Sequence, residues 1–253
     1  PLKSADPNIK STFGSTAILR SARDNHVEVV KILLRGGADP NVGNSQMSTA
    51  ILMASMNGHY HAVHELIKGN ADPNIVSNKG NTALLKATEN EHLSIATLLC
   101  RNGAHVNHVG FNDKMQTALM LAAKANSLSF VDMLIEHGAD PNVRTDDDGT
   151  AVSFAAQYGF EEVLVRLLKA GGAPLLENKI GQNARARALG KPHIIALLDN
   201  RPFIFDPIST VEADPKASND KNSTDGRRPF DIAVRWCEVA GALELGRRFP
   251  DLI

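Results

Sequence analysis

The sequence predicts an all-α solenoid, a row of stacked helix-turn-helix units joined by short hairpin-like loops. Two recurrences predict it. The string Ala-Asp-Pro-Asn stands at Ala5–Asn8, Ala38–Asn41, Ala71–Asn74 and Ala139–Asn142, with the variant Ala104–Asn107 in the gap, at steps of 33, 33, 33 and 35 residues. A Thr-Ala pair keeps the same period, at Thr16, Thr49, Thr82, Thr117 and Thr150. A constant period through varied sequence marks one supersecondary unit copied and stacked. Composition agrees: aromatic content is 5% with a single Trp, sparse for one conventional core in 253 residues.

Counting positions from each Thr justifies the elements in order. The Thr is a helix N-cap, whose hydroxyl satisfies an orphan N–H of the first turn. An apolar residue follows at +2: Ile18, Ile51, Leu84, Leu119, Val152. Small residues at +5 and +6, such as Ala122-Ala123 and Ala155-Ala156, let neighbouring units approach closely. A turn comes next, marked by Asn25-His26, Gly58-His59 and Gly159. The second helix is amphipathic, as in Val27, Val30, Leu33 and Leu34, and ends on a paired apolar step such as Leu66-Ile67 or Leu134-Ile135. At +21 stand Gly37, Asn70, Gly103, Gly138 and Gly171, the residue types that tolerate a left-handed helix stop.

The ends are less regular. Residues 1–13 read as the tail of a preceding unit, with the array, or another domain, extending further toward the N-terminus. Residues 14–200 hold five clear units and a shortened sixth, in which Asn183 takes the Thr place and His193–Leu198 supplies a truncated second helix. Residues 201–226 are polar and read as a flexible linker or insertion. Residues 227–253 open on Pro229-Phe230-Asp231 and read as a divergent closing unit that caps the last apolar face. A second reading of that end is a binding segment of its own, through Arg227-Arg228 and Arg247-Arg248.

Charge and cysteine usage exclude several classes. Lys+Arg is 27 and Asp+Glu 28, a net charge of -1, which argues against a general nucleic-acid binder. No apolar run approaches the ~18 residues of a membrane span. Two cysteines, Cys100 and Cys237, make neither a disulfide framework nor a zinc site, and point to a cytoplasmic chain. His26, His59 and His92 all stand at +10 and belong to the repeat. His59, His61 and His64 are denser, but zinc needs further ligands, so a solvated face is the expectation. Asp146-Asp147-Asp148-Gly149 lacks the alternating ligands of a calcium loop and reads as a charged loop tip, its functional version a contact for a basic partner. Cys100 takes an apolar core place. No phosphate loop, serine elbow or metal-hydrolase motif occurs, so the expectation is no catalytic residue, no metal and no cofactor.

These residues resemble the ankyrin repeat, G-x-T-x-L-x-x-A-A-x-x-G-H-x-x-V-V-x-x-L-L-x-x-G-A-D-x-N, from about Ala5 to Asn200. One departure is consistent: Ala17, Ala50, Ala83, Ala118 and Ala151 stand where the family usually has Pro, and Ala keeps the helix start. The resemblance implies a non-catalytic protein-recognition array, monomeric, with a concave surface made of loop tips and the outer turns of the first helices. The partner-facing candidates are then Phe13, Arg23 and Asp24; Gln46, Met56 and Asn57; Lys79, Glu89 and Asn90; Lys114 and Lys124; and Asp147, Gln157 and Tyr158. The loop before Thr117 is two residues longer than its siblings and carries Phe111, which either projects as a hot spot or folds back onto the stack. The chemical mix suits a protein partner better than nucleic acid or membrane. An alternative is the targeting arm of a larger enzyme, such as an effector that intracellular bacteria deliver into host cytosol. The resemblance also implies that Asn41, Asn74, Asn107 and Asn142, each eight residues after a Leu, are potential β-hydroxylation substrates.

Overall fold

A computed structural model describes residues 6–110 and 115–199. Phe111, Lys114 and the segments 201–226 and 227–253 lie outside the described residues. The helices in order are α1 (Ala17–Arg23), α2 (Val27–Arg35), α3 (Ala50–Met56), α4 (Tyr60–Lys68), α5 (Ala83–Glu89), α6 (Leu93–Arg101), α7 (Ala118–Lys124), α8 (Leu128–Glu136), α9 (Ala151–Tyr158), α10 (Glu161–Lys169), α11 (Ala184–Arg187) and α12 (Pro192–Asp199). Among the described residues there is no strand, and no helix is long and apolar enough to cross a membrane. Each first helix packs on the next, from α1 through α11, and the second helices α2 to α10 form a second row. The partners of the first five hairpins pack on each other.

First helices of seven residues are too short to persist alone, since isolated helices below ~12–15 residues are marginal in water. Burial between units holds them. Every predicted cap forms: the Thr16, Thr49, Thr82, Thr117 and Thr150 hydroxyls accept from the N–H three residues on, at 3.2–3.4 Å. Asn183 does the same for Ala186 N at 3.0 Å. The +2 side chains and those at +17 (Leu66, Leu99, Leu134, Leu167) are fully buried, and so is the +14 row from Val30 to Leu164.

Each unit turns on left-handed residues at three places. The predicted stop at +21 is one, with φ from 62° at Asn70 to 85° at Gly37 and Gly171. The helix–helix turn at +9 is the second; at Gly58 (φ 78°) a Cβ would also lie 2.7 Å from the His92 ring. The third, at −2 in the hairpin tip, holds Gly14, Gly80 and Gly181 but also Met47 (φ 56°), Met115 (φ 42°) and Asp148 (φ 60°). A backbone bond spans each tip, such as Asn44 N→Ser48 O at 3.1 Å and Ser77 N→Asn81 O at 3.0 Å. In the longer loop the corresponding bond, Gly110 N→Gln116 O at 3.1 Å, spans two more residues. The closing bond is kept, and the helices on either side stay in register.

The closing asparagines do more than the local loop bonding that their position suggests. Each reaches into the following unit. Asn74 Nδ2 donates to Gly103 O at 2.9 Å, and its Oδ1 accepts from His105 N at 2.7 Å. Asn8, Asn41, Asn107 and Asn142 repeat this two-point clamp on the next +21 carbonyl and +23 amide. Both are backbone groups of the loop just past a helix end, so one side chain satisfies a carbonyl and an amide together and fixes unit-to-unit register.

Candidate partner-binding surface

The stack decides which side chains remain available. In α3, α5 and α7, five of the seven residues are buried. The two left over stand at +4 and +7: Met53 and Met56, Lys86 and Glu89, Leu121 and Lys124. Residues three apart share one helix face, so these rows form a continuous strip. Arg20 and Arg23 extend it in α1, Phe154 and Gln157 in α9, and Arg187 in α11.

The strip is electropositive although the chain is not. Among these eleven positions Arg20, Arg23, Lys86, Lys124 and Arg187 are cations, and Glu89 is the one carboxylate. The second helices α2 to α10 carry six cations and six carboxylates. A whole-chain charge of -1 conceals this segregation. Lys86 Nζ lies 2.5 Å from Glu89 Oε2, and Arg23 Nε lies 2.8 Å from Asp24 Oδ1. The hydrogen bond from Arg23 holds the Asp24 carboxyl below its ordinary value. At the other end, Lys124 and Arg187 both approach the Phe154 ring, at 5.2 and 5.1 Å from its centroid. Arg187 donates to Ser153 Oγ at 3.2 Å and to Gln157 Oε1 at 2.7 Å.

The sequence candidates fall into three groups. Met56, Glu89, Lys124, Gln157 and Arg23 lie on the strip, at +7. Asp24, Asn57, Asn90 and Tyr158 follow at +8. Two of these are engaged in the stack: Asn57 Nδ2 donates to Arg23 O and Asn90 Nδ2 to Met56 O, both at 3.0 Å. Two of the +10 histidines join them, with His59 Nε2 donating to Arg23 O at 2.9 Å and His92 Nε2 to Met56 O at 3.3 Å. Tyr158 is 46% exposed and stacks on Phe160, centroids 5.8 Å apart. The third group sits on the tips. Phe13, Gln46, Lys79 and Asp147 are exposed, while the carbonyls of Phe13, Gln46 and Asp147 bond the neighbouring tip. Asp147 also accepts from Thr145 Oγ1 and Gly149 N, and the hydroxyl bond keeps its carboxyl below the usual range. Asp147 thus serves its own loop first. Periodicity passes over the +4 row, whose signal is helical adjacency: it stands one turn before the +7 candidates.

Among the described residues no group of three or more His, Cys, Asp or Glu is placed to hold a metal. Tyr60 instead stacks on His64 at 6.3 Å and meets His61 edge-on at 5.7 Å. Burial pushes the Cys100 thiol up to about 11, so it stays protonated and unreactive at neutral pH.

The family model described as ankyrin repeats (3 copies) matches residues 2–77, 51–145 and 119–206. The chain is 40% identical over 91 residues to the inactive serine/threonine-protein kinase TEX14 of Bos taurus, covering 36% of this chain and 6% of that protein. It is 38% identical over 95 residues to an ankyrin repeat-containing protein of Treponema pallidum, covering 37% of this chain and 31% of that one. Among solved structures, the ankyrin repeat domain of Bcl-3 superposes with a TM-score of 0.70 at 24% identity, covering 77% of this chain and 86% of that one. With stack, caps, asparagine clamps and matched segments in agreement, the chain belongs to the ankyrin-repeat family, whose repeats mediate protein–protein interaction.

Proposed function

We propose that this chain is a rigid protein-recognition module that binds its partner along the first-helix strip and the hairpin tips. One observation carries the reading: the stack buries five residues of every seven-residue inner first helix and leaves the same two, at +4 and +7, half-buried or exposed in each unit. Side chains that the core covers only in part, repeated at a fixed spacing on a rigid scaffold, suit contacts summed over several units. The rows differ in identity from unit to unit, as specificity requires.

The test is affinity capture with the full chain, followed by the same capture with the variant pair Met56→Ala and Tyr158→Ala. Loss of the captured protein, with a thermal melt near that of the parent, supports the strip. Lys68→Ala and Arg101→Ala on the second helices should leave capture unchanged. Capture lost through the second-helix variants and kept by the strip variants would move the site to the other layer.

A further inference from the structure

We infer that the first-helix strip takes an extended acidic segment of another protein, one in which carboxylates alternate with apolar side chains at intervals of about three residues. The inference rests on the reading of the strip as the partner-binding face and adds the chemistry of the partner. Along the +4 row stand Arg20, Met53, Lys86, Leu121, Phe154 and Arg187, in unit order. Cationic and apolar groups are interleaved, and the row holds no carboxylate. At +7, Arg23 and Lys124 face a single acid, Glu89.

The local acids do not cancel this excess. Glu89 is tied to Lys86, and Asp24, beyond the row, to Arg23. Asp147 lies within electrostatic reach of Arg187. These contacts fix where the cations stand. Five cations against Glu89, Asp24 and Asp147 still leave a positive surface, and charge complementarity then favours an acidic segment and speeds its capture.

Spacing sets the rest. Packed helices lie 8–10 Å apart, roughly. An extended chain advances about 3.3 Å per residue, so one unit corresponds to about three residues. A segment along the row would place carboxylates opposite Arg20 and Lys86 about six residues apart, with an apolar side chain between them over Met53. Single-stranded nucleic acid fits less well. It needs exposed aromatic platforms, whereas the row's one aromatic, Phe154, is 7% exposed and lies beneath Lys124 and Arg187.

The experiment selects random displayed peptides of about 16 residues, enough to span five units, on the full 253-residue chain. Selected peptides and a single-stranded oligo-dT of similar length are then labelled and titrated by fluorescence anisotropy. The expected result is enrichment of Asp and Glu with an apolar residue about three positions away. Affinity should fall about tenfold or more in the double variant Arg20→Gln, Lys86→Gln, and should fall again between about 50 and 500 mM salt. Both substitutions are at positions outside the packed core, and circular dichroism melts check that the fold is kept. Neutral or basic selected peptides, no enrichment at all, affinity indifferent to the double variant, or tighter binding of oligo-dT would each overturn the inference. Peptides that lose affinity with Met56→Ala but not with the double variant would leave the strip as the binding face and remove its acidic preference. Peptides indifferent to every strip variant would remove both.

Discussion

The first hairpin and the inner hairpins carry the same pattern and bury it differently. At +1, Ala17 is exposed, while Ala50, Ala83, Ala118 and Ala151 are at 0–1%. At +13, Val29 is 44% exposed, while Ala62, Ile95, Phe130 and Val163 are at 0–3%. Ile32, at +16, is 63% exposed. Nothing in α1 or α2 differs enough in hydrophobicity to explain this. The difference is the neighbour. Positions +1 and +13 of a unit bury against the hairpin before it, and among the described residues only a closing loop precedes α1. A position in a stack is therefore core or surface according to what lies beside its unit, and stability is a sum of unit terms and interface terms.

The largest expected effect probes the inner side of this comparison. Leu134, fully buried in α8, touches its own hairpin and the stack, so Leu134→Ala should cost about 2–5 kcal/mol in urea unfolding. A loss below about 1 kcal/mol would mean that the array yields by fraying at one end rather than as one cooperative block.

The direct contrast comes next, because it holds the chemistry constant. Val163 and Val29 occupy the same +13 position, at 0% and 44% exposure. Val163→Ala removes two buried methyl equivalents and should cost about 2 kcal/mol. Val29→Ala should stay within about 0.5 kcal/mol. Equal losses would show that the outer face of α2 is covered in solution, and gel filtration across a concentration series would then reveal self-association.

The asparagine clamp allows the same contrast at lower energy. Asn74→Ala removes two hydrogen bonds between inner units and should cost about 1–2 kcal/mol. Asn8 makes the same two bonds, to Gly37 O at 3.2 Å and Asp39 N at 2.8 Å. It ties only a loop to the stack, so Asn8→Ala should cost less than about 0.5 kcal/mol and raise amide exchange at Asp39, whose N–H donates to Asn8, without moving the melt.

These contrasts also show what was legible in the sequence. The Thr caps, the +2 core residues and the left-handed +21 stop were readable because each copy meets the same local demand with the same residue type. The clamp partners of the asparagines were not, since both are backbone groups 29–33 residues further on and leave no side-chain signature. The +4 row was missed for the opposite reason. Its identities, from Arg20 to Arg187, share no type, so self-comparison has nothing to align there. Charge segregation was hidden as well, because composition adds the two helix layers together.

The smallest effect concerns the tips, where units differ in one backbone-demanding residue. At −2, Gly14, Gly80 and Gly181 take φ of 72–74° without strain, whereas Met47 holds φ 56° in unit 2. A non-glycine residue in that region costs roughly 1–2 kcal/mol. Replacement by Gly would relieve this but lose about 0.5–1 kcal/mol to the greater freedom of the unfolded chain, leaving little net change. Asn is the better substitute: it tolerates the left-handed region through local side-chain bonds and restricts the unfolded chain more than Gly. The same fold already uses it so at Asn25, Asn70 and Asn126. Met47→Asn should therefore raise stability by about 0.5 kcal/mol, read as a higher urea midpoint at unchanged slope. The side chain is 46% exposed, so little packing opposes the gain. A lower midpoint would mean that Met47 bridges adjacent tips, and that the tips, like the helices, derive stability from their neighbours.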